Sequence, residues 1–394
     1  MKTRTKKVHV YSNGCVPNRL EGKKIIDSFS QQGWNVTDKY EEADIIIFNS
    51  CGFCKDKIKE SKEVISKFSR VIEKDKEFIL TGCLPKIDPS IAKNNKKCCF
   101  EDFSQIGKIL KTNPKLNSLF VSGSIEDVLE TTRNDVYHII TSQGCMGKCS
   151  YCVIKRAKGS IKSKPIEKVK TEFFKGIKKG FRKFILWGED LGAYGYDRSS
   201  SIVDLLRNLL ETTTDGVEYS LYLHRLNPQW VIRYKKEFKE ILKSRRIKVI
   251  YSPIQSGSER ILKLMNRFYT AEEAKACLKE IKKEFPNVLL KTDIMVGFPT
   301  ESEEDFNETL VFVDQVQFDD VVLFKYGGIP GTPSYEMKGE IIDEVKNSRI
   351  KEFWFRFPYL RFNIEVIDDK GWITDFDKMV KSGPFRLNSY SHGS

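Results

Sequence analysis

Short apolar runs alternate with amphipathic segments along the first part of the chain. The runs at 8–12, 43–50 and 77–82 are rich in β-branched residues and predict buried strands. The segments between them, RLEGKKIIDSFSQQG and CKDKIKESKEVISKFSRVIE, space their apolar residues as helices do. This alternation predicts a parallel sheet with helices on both faces, an α/β doubly wound domain over residues 1–122.

The alternation resumes after a polar stretch at 123–135, which we interpret as a linker. Six strand candidates with helical segments between them occupy residues 136–337: YHIITSQ, KFILWGED, VEYSLYLHR, IKVIYSPIQSG, VLLKTDIMVGFP and DDVVLFKYGG. Six βα units predict a partial (β/α)6 barrel rather than a closed eightfold one. Residues 338–394 form a C-terminal extension, with a predicted helix over 341–367 and a tail of no clear pattern.

Charge and cysteine content narrow the class of protein. The formal net charge of +13 suits an RNA-binding surface, but the lysines are spread along helices, which equally fits an ordinary solvated surface. The basic N-terminus leads directly into a strand and no apolar run is long enough to span a membrane, so we expect a cytoplasmic protein. Thiols stay reduced there, and the ten cysteines therefore favour metal or redox chemistry over disulfides.

Three cysteines cluster directly after the first strand of the predicted barrel. Cys145, Cys149 and Cys152 form a CxxxCxxC pattern on the face where barrel enzymes place their active sites. Structural zinc normally takes four ligands, and no further Cys or His lies nearby in the sequence. Three thiolates suit an iron–sulfur cluster with one iron left open.

A second set of cysteines is far apart in sequence but equivalent in position. Cys15, Cys51 and Cys83 each follow the C-terminal end of a predicted parallel strand, and such ends meet at one edge of the sheet. A single cysteine at a strand end is usually a small buried apolar residue. Three of them at the same position favour a second three-thiolate site.

Both cysteine sets, in this order, resemble those of the radical S-adenosylmethionine (SAM) methylthiotransferase family. The segments SNGCVPNRLE, ADIIIFNSCGF, LTGCL, QGCMGKCSYCVIKRAKGSIKSKPIE, WGEDLGAYGYD, IQSGSERILKLMNR, TDIMVGFPTESEEDF and PGTPSYEM match the family in order. The resemblance implies two 4Fe–4S clusters and SAM. Cys145, Cys149 and Cys152 would hold the radical SAM cluster, and the other three cysteines an auxiliary cluster that holds methylated sulfur. A radical derived from SAM would abstract hydrogen from an unactivated C–H bond, which then receives the methylthio group.

The same resemblance implies contacts to SAM. Tyr151 resembles the aromatic residue that packs against adenine, and Gly188, Glu189 and Asp190 resemble the strand-end motif that holds the SAM amino group. The segments that contain Gln255, Ile294 and Val296 resemble those that line the ribose and adenine. A turn at Gly188 and ordinary barrel packing at the other positions remain the alternatives.

The substrate is predicted less directly. The segments SCGFCKDKIKES, TGCL, LYLHRLNP and YGYD resemble the branch that modifies an aspartate of a ribosomal protein more than the tRNA-adenosine branch. Family members usually carry a C-terminal TRAM β-barrel, which the pattern after 337 does not predict, and YGGIPGT lacks a charged residue that is usual there. We expect a polypeptide substrate, either a ribosomally made peptide or a protein side chain, with flavodoxin or ferredoxin as reducing partner. Modification of tRNA adenosine and a single-cluster radical SAM enzyme of another type are the alternatives.

The remaining cysteines and histidines receive no catalytic role. Cys54 could be an auxiliary-cluster ligand, a sulfur carrier or a buried apolar residue, and we favour the last. Cys98, Cys99 and Cys277 are left unassigned. The four histidines, at 9, 138, 224 and 392, are interpreted as structural.

Overall fold

The computed structural model describes residues 5–72, 76–91, 98–100, 123–124, 136–211, 216–360, 364–368 and 371–373. These residues form two sheets that are mostly parallel, each flanked by helices, and a short antiparallel pair. Among the helices in these ranges, none has the length and apolar character needed to cross a membrane.

The N-terminal sheet has five parallel strands in the order β2-β1-β3-β4-β5. The strands are β1 (Lys7–Ser12), β2 (Asn35–Val36), β3 (Ile45–Ser50), β4 (Glu77–Gly82) and β5 (Cys98–Phe100). The helices between them are α1 (Val16–Gln31), α2 (Lys55–Arg70) and α3 (Leu84–Ile87). This is a common doubly wound strand order, and its direction reverses between β1 and β3. The predicted fold class is confirmed for this part of the chain.

Strand β3 shows why this sheet is buried on both faces. Its alternate residues point to opposite sides, so Ile45 and Ile47 pack in the cluster that contains Phe29 of α1. Ile46 and Phe48 pack in the cluster that contains Phe68 of α2. An uninterrupted apolar run is what a central parallel strand requires.

The second sheet has the strand order β16-β15-β14-β13-β12-β11-β10-β7-β6 and does not close on itself. Its parallel strands are β7 (Val136–Ile140), β10 (Lys183–Trp187), β11 (Ser220–His224), β12 (Ile247–Tyr251), β13 (Leu289–Val296), β14 (Asp320–Lys325) and β15 (Ile364–Asp368). The antiparallel edge strands are β6 (Gly123–Ser124) and β16 (Gly371–Ile373). A separate antiparallel pair joins β8 (Ser142–Gln143) to β9 (Lys162–Ser163). The six predicted barrel strands are all present, and the partial barrel is confirmed.

Helices pack against this sheet and along the loops at its strand ends. They are α4 (Ile154–Lys158), α5 (Ile166–Lys178), α6 (Ile202–Glu211), α7 (Pro228–Arg233), α8 (Lys235–Leu242), α9 (Glu259–Leu264), α10 (Ala271–Glu284), α11 (Glu303–Val316) and α12 (Asp343–Arg356). Thr270 caps α10 and Ser302 caps α11, each with a reciprocal side-chain bond from the third residue of its helix. Phe173 of α5, Leu206 of α6 and Leu278 of α10 share one core with the strands.

Two expectations about the chain segments outside the barrel need correction. The helix expected over 341–367 ends at Arg356, because Pro358 follows and disfavours helical backbone at the residue before it. The run Ile364–Asp368 instead forms β15, parallel to β14. Within the expected linker, Gly123–Ser124 is a strand paired with β7, whereas 125–135 and 374–394 lie outside the described residues.

Candidate active site

The three N-terminal cysteines converge on one pocket. Cys15 follows β1, Cys51 follows β3 and Cys83 follows β4, so the parallel register carries all three to the same edge of the sheet. Cys15 and Cys51 flank the point where the strand order reverses, which is where doubly wound sheets bind ligands. Burial raises the pKa of the Cys51 thiol to about 11 and that of Cys83 to about 12, so iron must displace a proton from each.

Polar side chains hold the Cys51 loop in place. Asn13 accepts a hydrogen bond from the Cys51 backbone N–H at 2.9 Å and donates to the Ser61 hydroxyl at 2.9 Å. Ser61 donates in turn to the Cys51 carbonyl at 2.7 Å. Both side chains are buried, and together they fix the backbone on each side of the Cys51 sulfur.

The CxxxCxxC loop surrounds a second pocket, lined by Cys145, Cys149 and Cys152. Each sulfur accepts a hydrogen bond, from the Gly147 N–H to Cys145 at 3.2 Å, from the Ile154 N–H to Cys152 at 3.5 Å, and from Arg267 to Cys149 at 3.5 Å. Donors of this kind stabilise thiolates.

Gly147 keeps this loop open. A Cβ at Gly147 would lie 3.2 Å from Cys145 Sγ and 3.6 Å from Cys149 Sγ, in the space between the two sulfurs. Burial raises the pKa of the Cys145 thiol, and it raises the pKa of Cys152 to about 11.

Each pocket is lined by the three cysteine side chains of one set, Cys145, Cys149 and Cys152 in one and Cys15, Cys51 and Cys83 in the other. Within the described ranges, no group of three or more His, Cys, Asp or Glu side chains is arranged to hold a single metal ion. A multi-iron cluster binds each thiolate to a different iron, so it needs spaced sulfurs. The three thiols of one set line each pocket, and a donor set of three thiols suits an iron–sulfur cluster with one iron left open.

The two pockets share a wall. The residues that line both are Phe53, Cys54, Asp56, Ile154, Glu189, Arg225 and Phe324. This wall combines loops of both sheets, since Phe53 and Cys54 follow β3 whereas Arg225 follows β11. A substrate atom at this wall could face both three-cysteine sites.

Comparisons with known proteins agree with this arrangement. A family model for the radical SAM superfamily matches residues 139–313, and one described as "Uncharacterized protein family UPF0004" matches residues 7–100. A probable threonylcarbamoyladenosine tRNA methylthiotransferase of Pyrococcus horikoshii is 29% identical over 84% of this chain and 79% of its own length. The ribosomal protein uS12 methylthiotransferase RimO of Thermodesulfovibrio yellowstonii is 29% identical over 88% of this chain and 81% of its own. The chain belongs to the radical SAM methylthiotransferase family.

Solved structures agree on the fold. The radical SAM methyltransferase TsrM of Kitasatospora setae superposes with a TM-score of 0.61 at 12% identity, covering 84% of this chain and 75% of TsrM. At that identity the likeness concerns the fold. The chain is an enzyme of the radical SAM methylthiotransferase kind, and the family implies a 4Fe–4S cluster and SAM.

The cofactor contacts expected of this methylthiotransferase are distributed between the pockets. Tyr151 and Gln255 line the pocket of the CxxxCxxC loop, and Gln255 holds a left-handed φ of 71° while bridging Ile294. Gly188 lines the other pocket, and a Cβ there would lie 2.6 Å from Ser142 Oγ. Its close packing against that hydroxyl explains why glycine is needed.

The two acidic residues after β10 are held by the loops around the CxxxCxxC cysteines. Glu189 accepts from the Gly144 N–H at 2.8 Å, and Asp190 accepts from Trp230 Nε1 at 2.8 Å and from the Cys145 thiol at 3.7 Å. Burial raises the pKa of both carboxyl groups.

Strand β13 faces the pocket with different residues from those expected. Ile294 and Val296 are fully buried in the core and line neither pocket, whereas Asp293 and Met295 line the CxxxCxxC pocket. Alternation along a strand puts neighbours on opposite faces, so the expected side chains point away from the cavity. A backbone contact of Ile294 or Val296 to SAM stays a prediction.

Three residues without a predicted catalytic role lie at the pockets or against their lining: Cys54, His224 and His138. Cys54 is half-buried and lines both pockets. His224 lines the pocket of Cys15, Cys51 and Cys83, with its ring centre 3.6 Å from that of Trp187. His138 accepts from Trp187 Nε1 at 2.6 Å, and burial lowers its pKa to about 4.

Three cationic residues around the site carry no signal in the sequence: Arg225, Arg267 and Lys158. Lys158 lines the pocket of the three N-terminal cysteines and pairs with Glu21 at 3.1 Å. Burial alone would lower the pKa of Lys158, but Glu21, Cys83, Glu189 and Cys15 together raise it. Lysine and arginine are common on protein surfaces. Partial burial beside the pockets distinguishes these three from most other cationic residues.

Proposed function

We propose that this methylthiotransferase attaches a methylthio group to an unactivated carbon of a polypeptide residue. The observation that carries the proposal is the shared wall, which places two three-cysteine pockets side by side across the two sheets. A reaction that needs hydrogen removed and sulfur delivered at one carbon requires both sites within reach of that carbon.

The cysteines divide between two 4Fe–4S clusters. Cys145, Cys149 and Cys152 hold the cluster that binds SAM, and Cys15, Cys51 and Cys83 hold the auxiliary cluster. When bound, these groups supply the electron transfer, the hydrogen abstraction and the methylated sulfur. The hydrogen bonds to the sulfurs of the CxxxCxxC loop orient its three thiolates and stabilise their charge.

The rest of the CxxxCxxC pocket holds SAM. Tyr151 would pack against the adenine. The carboxyl groups of Glu189 and Asp190 line the same pocket and would hold the SAM amino group. Gln255, in the loop after β12, and Met295 of β13 line the same pocket. Gly188 acts by letting the strand end approach Ser142 closely.

The proposal keeps the domain boundaries predicted from the sequence. We place the auxiliary-cluster domain at 1–122, the barrel at 136–337 and an extension of unassigned role at 338–394, with 123–135 joining the domains. We further propose a cytoplasmic location and a flavodoxin or ferredoxin as electron donor, since clusters of this kind must be reduced before each reaction.

A polypeptide is the favoured substrate because the segments around Cys51 and Cys83 resemble the ribosomal-protein branch. The candidate polypeptide is uS12, on which the relative from Thermodesulfovibrio yellowstonii acts by its name. Modification of tRNA is the second candidate, since the tRNA methylthiotransferase of Pyrococcus horikoshii is equally similar at 29% identity.

Mass spectrometry of two potential substrates tests the proposal. Reconstituted enzyme with SAM and reductant is incubated with recombinant uS12 and, separately, with unmodified tRNA. We expect uS12 to gain one methylthio group and tRNA none. Cys149→Ala should form no 5′-deoxyadenosine, whereas Cys51→Ala should still form it but transfer no methylthio group. Cys277→Ala, a buried cysteine outside both pockets, is the matched control and should behave as wild type.

Modification of tRNA alone would replace the polypeptide by the second candidate. Methylthiolation by Cys51→Ala would show that the auxiliary-site assignment is wrong.

A further inference from the structure

Arg225 is a half-buried cation in the wall between the two pockets. It follows β11 directly and lines both cavities. Its backbone has a left-handed φ of 60°, which residues other than glycine seldom adopt and which tends to occur at functional sites. The fold thus holds one guanidinium in a strained position between two sites.

The guanidinium of Arg225 is not satisfied by the described part of the chain. Its Nε is buried and has no hydrogen-bond partner there. It makes a cation–π contact instead, since the guanidinium carbon lies 5.3 Å from the centre of the Phe53 ring. A buried polar group without a partner is costly, and it is retained where a ligand completes its hydrogen bonds.

The nearby carboxylates are engaged elsewhere. Asp293 and Glu189 act on Arg225 through space. However, Asp293 accepts from the Tyr251 hydroxyl and Glu189 accepts from the Gly144 N–H.

Arg267, which lines only the CxxxCxxC pocket, provides the contrast. It donates to Cys149, to the Pro253 carbonyl at 2.6 Å and to the Tyr269 hydroxyl at 3.2 Å. Its guanidinium thus serves the loop architecture, whereas that of Arg225 is left facing the cavities.

We propose that Arg225 is a specificity-determining residue that binds a side-chain carboxylate of the polypeptide substrate and so places the neighbouring carbon between the two pockets. The guanidinium fork matches a carboxylate with two parallel hydrogen bonds. The shared wall also carries Asp56 and Glu189, which would repel a polyanion such as an RNA backbone but admit one small anionic group beside Arg225. This inference rests on the proposed function, because it assumes that the substrate carbon reacts at this wall.

Paramagnetic relaxation tests the inference without the natural substrate. The probes are N-acetyl-aspartic acid N-methylamide and its neutral asparagine counterpart, mixed with reduced holoenzyme and saturating SAM. Saturating SAM occupies its own site, so the aspartate probe cannot bind in the place of the SAM carboxylate. A reduced cluster shortens proton relaxation times of a probe bound nearby, and the oxidised holoenzyme gives the baseline.

We expect the aspartate probe to bind at least about tenfold more tightly than the asparagine probe, the size expected for hydrogen bonds to a charged group. Arg225→Gln should remove this preference and Arg225→Lys should restore part of it. Arg233→Gln is the matched control, since Arg233 also stacks on aromatic rings but lines neither pocket.

Equal relaxation of both probes by the wild type would overturn the inference, and so would an unchanged preference in Arg225→Gln that retains its iron. A preference seen only without SAM would assign Arg225 to SAM instead. Stronger binding of dimethyl phosphate than of the aspartate probe would point to a nucleic acid.

Failure of the proposed function is separately visible. If the reconstituted enzyme carries no iron at the N-terminal cysteines, the two-site reaction is refuted. The cluster of the CxxxCxxC loop would still relax a probe bound at Arg225.

Discussion

Backbone position determines where each cluster cysteine lies. Cys51 and Cys83 follow central strands, and the Cys83 N–H donates to the Ser50 carbonyl at 2.8 Å, which ties one cysteine loop to the next. The sulfurs therefore belong to a surface fixed by the sheet rather than to independent loops. Such preorganisation is what metal sites require of their first ligands.

Asn13 tests this arrangement at the residue scale. Asn13→Ala removes the acceptor of the Cys51 N–H and leaves that group unsatisfied in a buried position, so we expect a loss of about 1–3 kcal/mol in the free energy of unfolding. Urea unfolding of the iron-free protein measures this loss, and iron quantitation should show weaker retention at the N-terminal site.

Asn307→Ala is the control for this change. Asn307 is exposed and donates to the Glu303 carbonyl of its own helix, so its loss should cost no more than about 0.5 kcal/mol. Equal costs for the two substitutions would mean that Asn13 does not support the Cys51 loop.

Site residues could be predicted from the sequence where their type and spacing formed a recognisable pattern. The six cysteines stand at strand ends or in a tight motif, where the pattern alone indicates a shared location. Arg225, Asn13 and Lys158 carry no such signal, because what distinguishes them is burial next to groups remote in sequence. The sequence does not show which face of β13 meets the cavity, so it predicts Ile294 and Val296 at the SAM site where the structure has Met295. A shift of one residue reverses the face.

Helices α1 and α4 meet between the two cysteine sets, and their contact is polar. Glu21 of α1 receives hydrogen bonds from Lys158 of α4 and from Gln143, both at 3.1 Å. The Glu21 side chain is 5% exposed and that of Lys158 is 13% exposed, so the charges are removed from water. The pair thus links the N-terminal unit to the barrel beside the pocket of the three N-terminal cysteines.

Glu21→Gln should destabilise the protein far more than a surface change does. Removing one partner leaves Lys158 buried without its counter-ion, which typically costs about 3–5 kcal/mol. Thermal unfolding of the holoenzyme measures the loss, and it should be accompanied by loss of iron from the N-terminal site.

Asp27→Asn, on the same helix, is the comparison. It breaks the Lys23–Asp27 pair at 3.7 Å, whose side chains are largely accessible, and should cost about 1 kcal/mol or less. A Glu21→Gln protein as stable as Asp27→Asn would show that the pair does not hold the two units together.

Periodicity predicted the long elements and missed the short ones. The strands of both sheets were recognisable as apolar β-branched runs, and the parallel arrangement followed from the helices between them. The β8–β9 pair has two residues in each strand, too few for a period to appear. The predicted C-terminal helix runs past Arg356 because RFNIEVI is apolar enough to form either a helix or a strand. Pro358 ends the helix in the structure.

At the scale of the whole molecule, two units of different topology present their strand ends to each other. The N-terminal sheet contributes Phe53 and Cys54 to the shared wall, and the barrel contributes Glu189, Arg225 and Phe324. This juxtaposition could not be predicted from the sequence, because nothing in either half specifies how the halves dock. It is also what the proposed reaction depends on.

Anaerobic iron and sulfide quantitation tests the two-site account most directly. Wild-type enzyme is compared with a Cys15/Cys51/Cys83→Ala triple variant after identical reconstitution. The account predicts that the triple variant loses half of the iron and half of the sulfide and keeps the cluster of the CxxxCxxC loop. Equal iron and sulfide in the two proteins would contradict it, because the N-terminal cysteines would then hold no cluster.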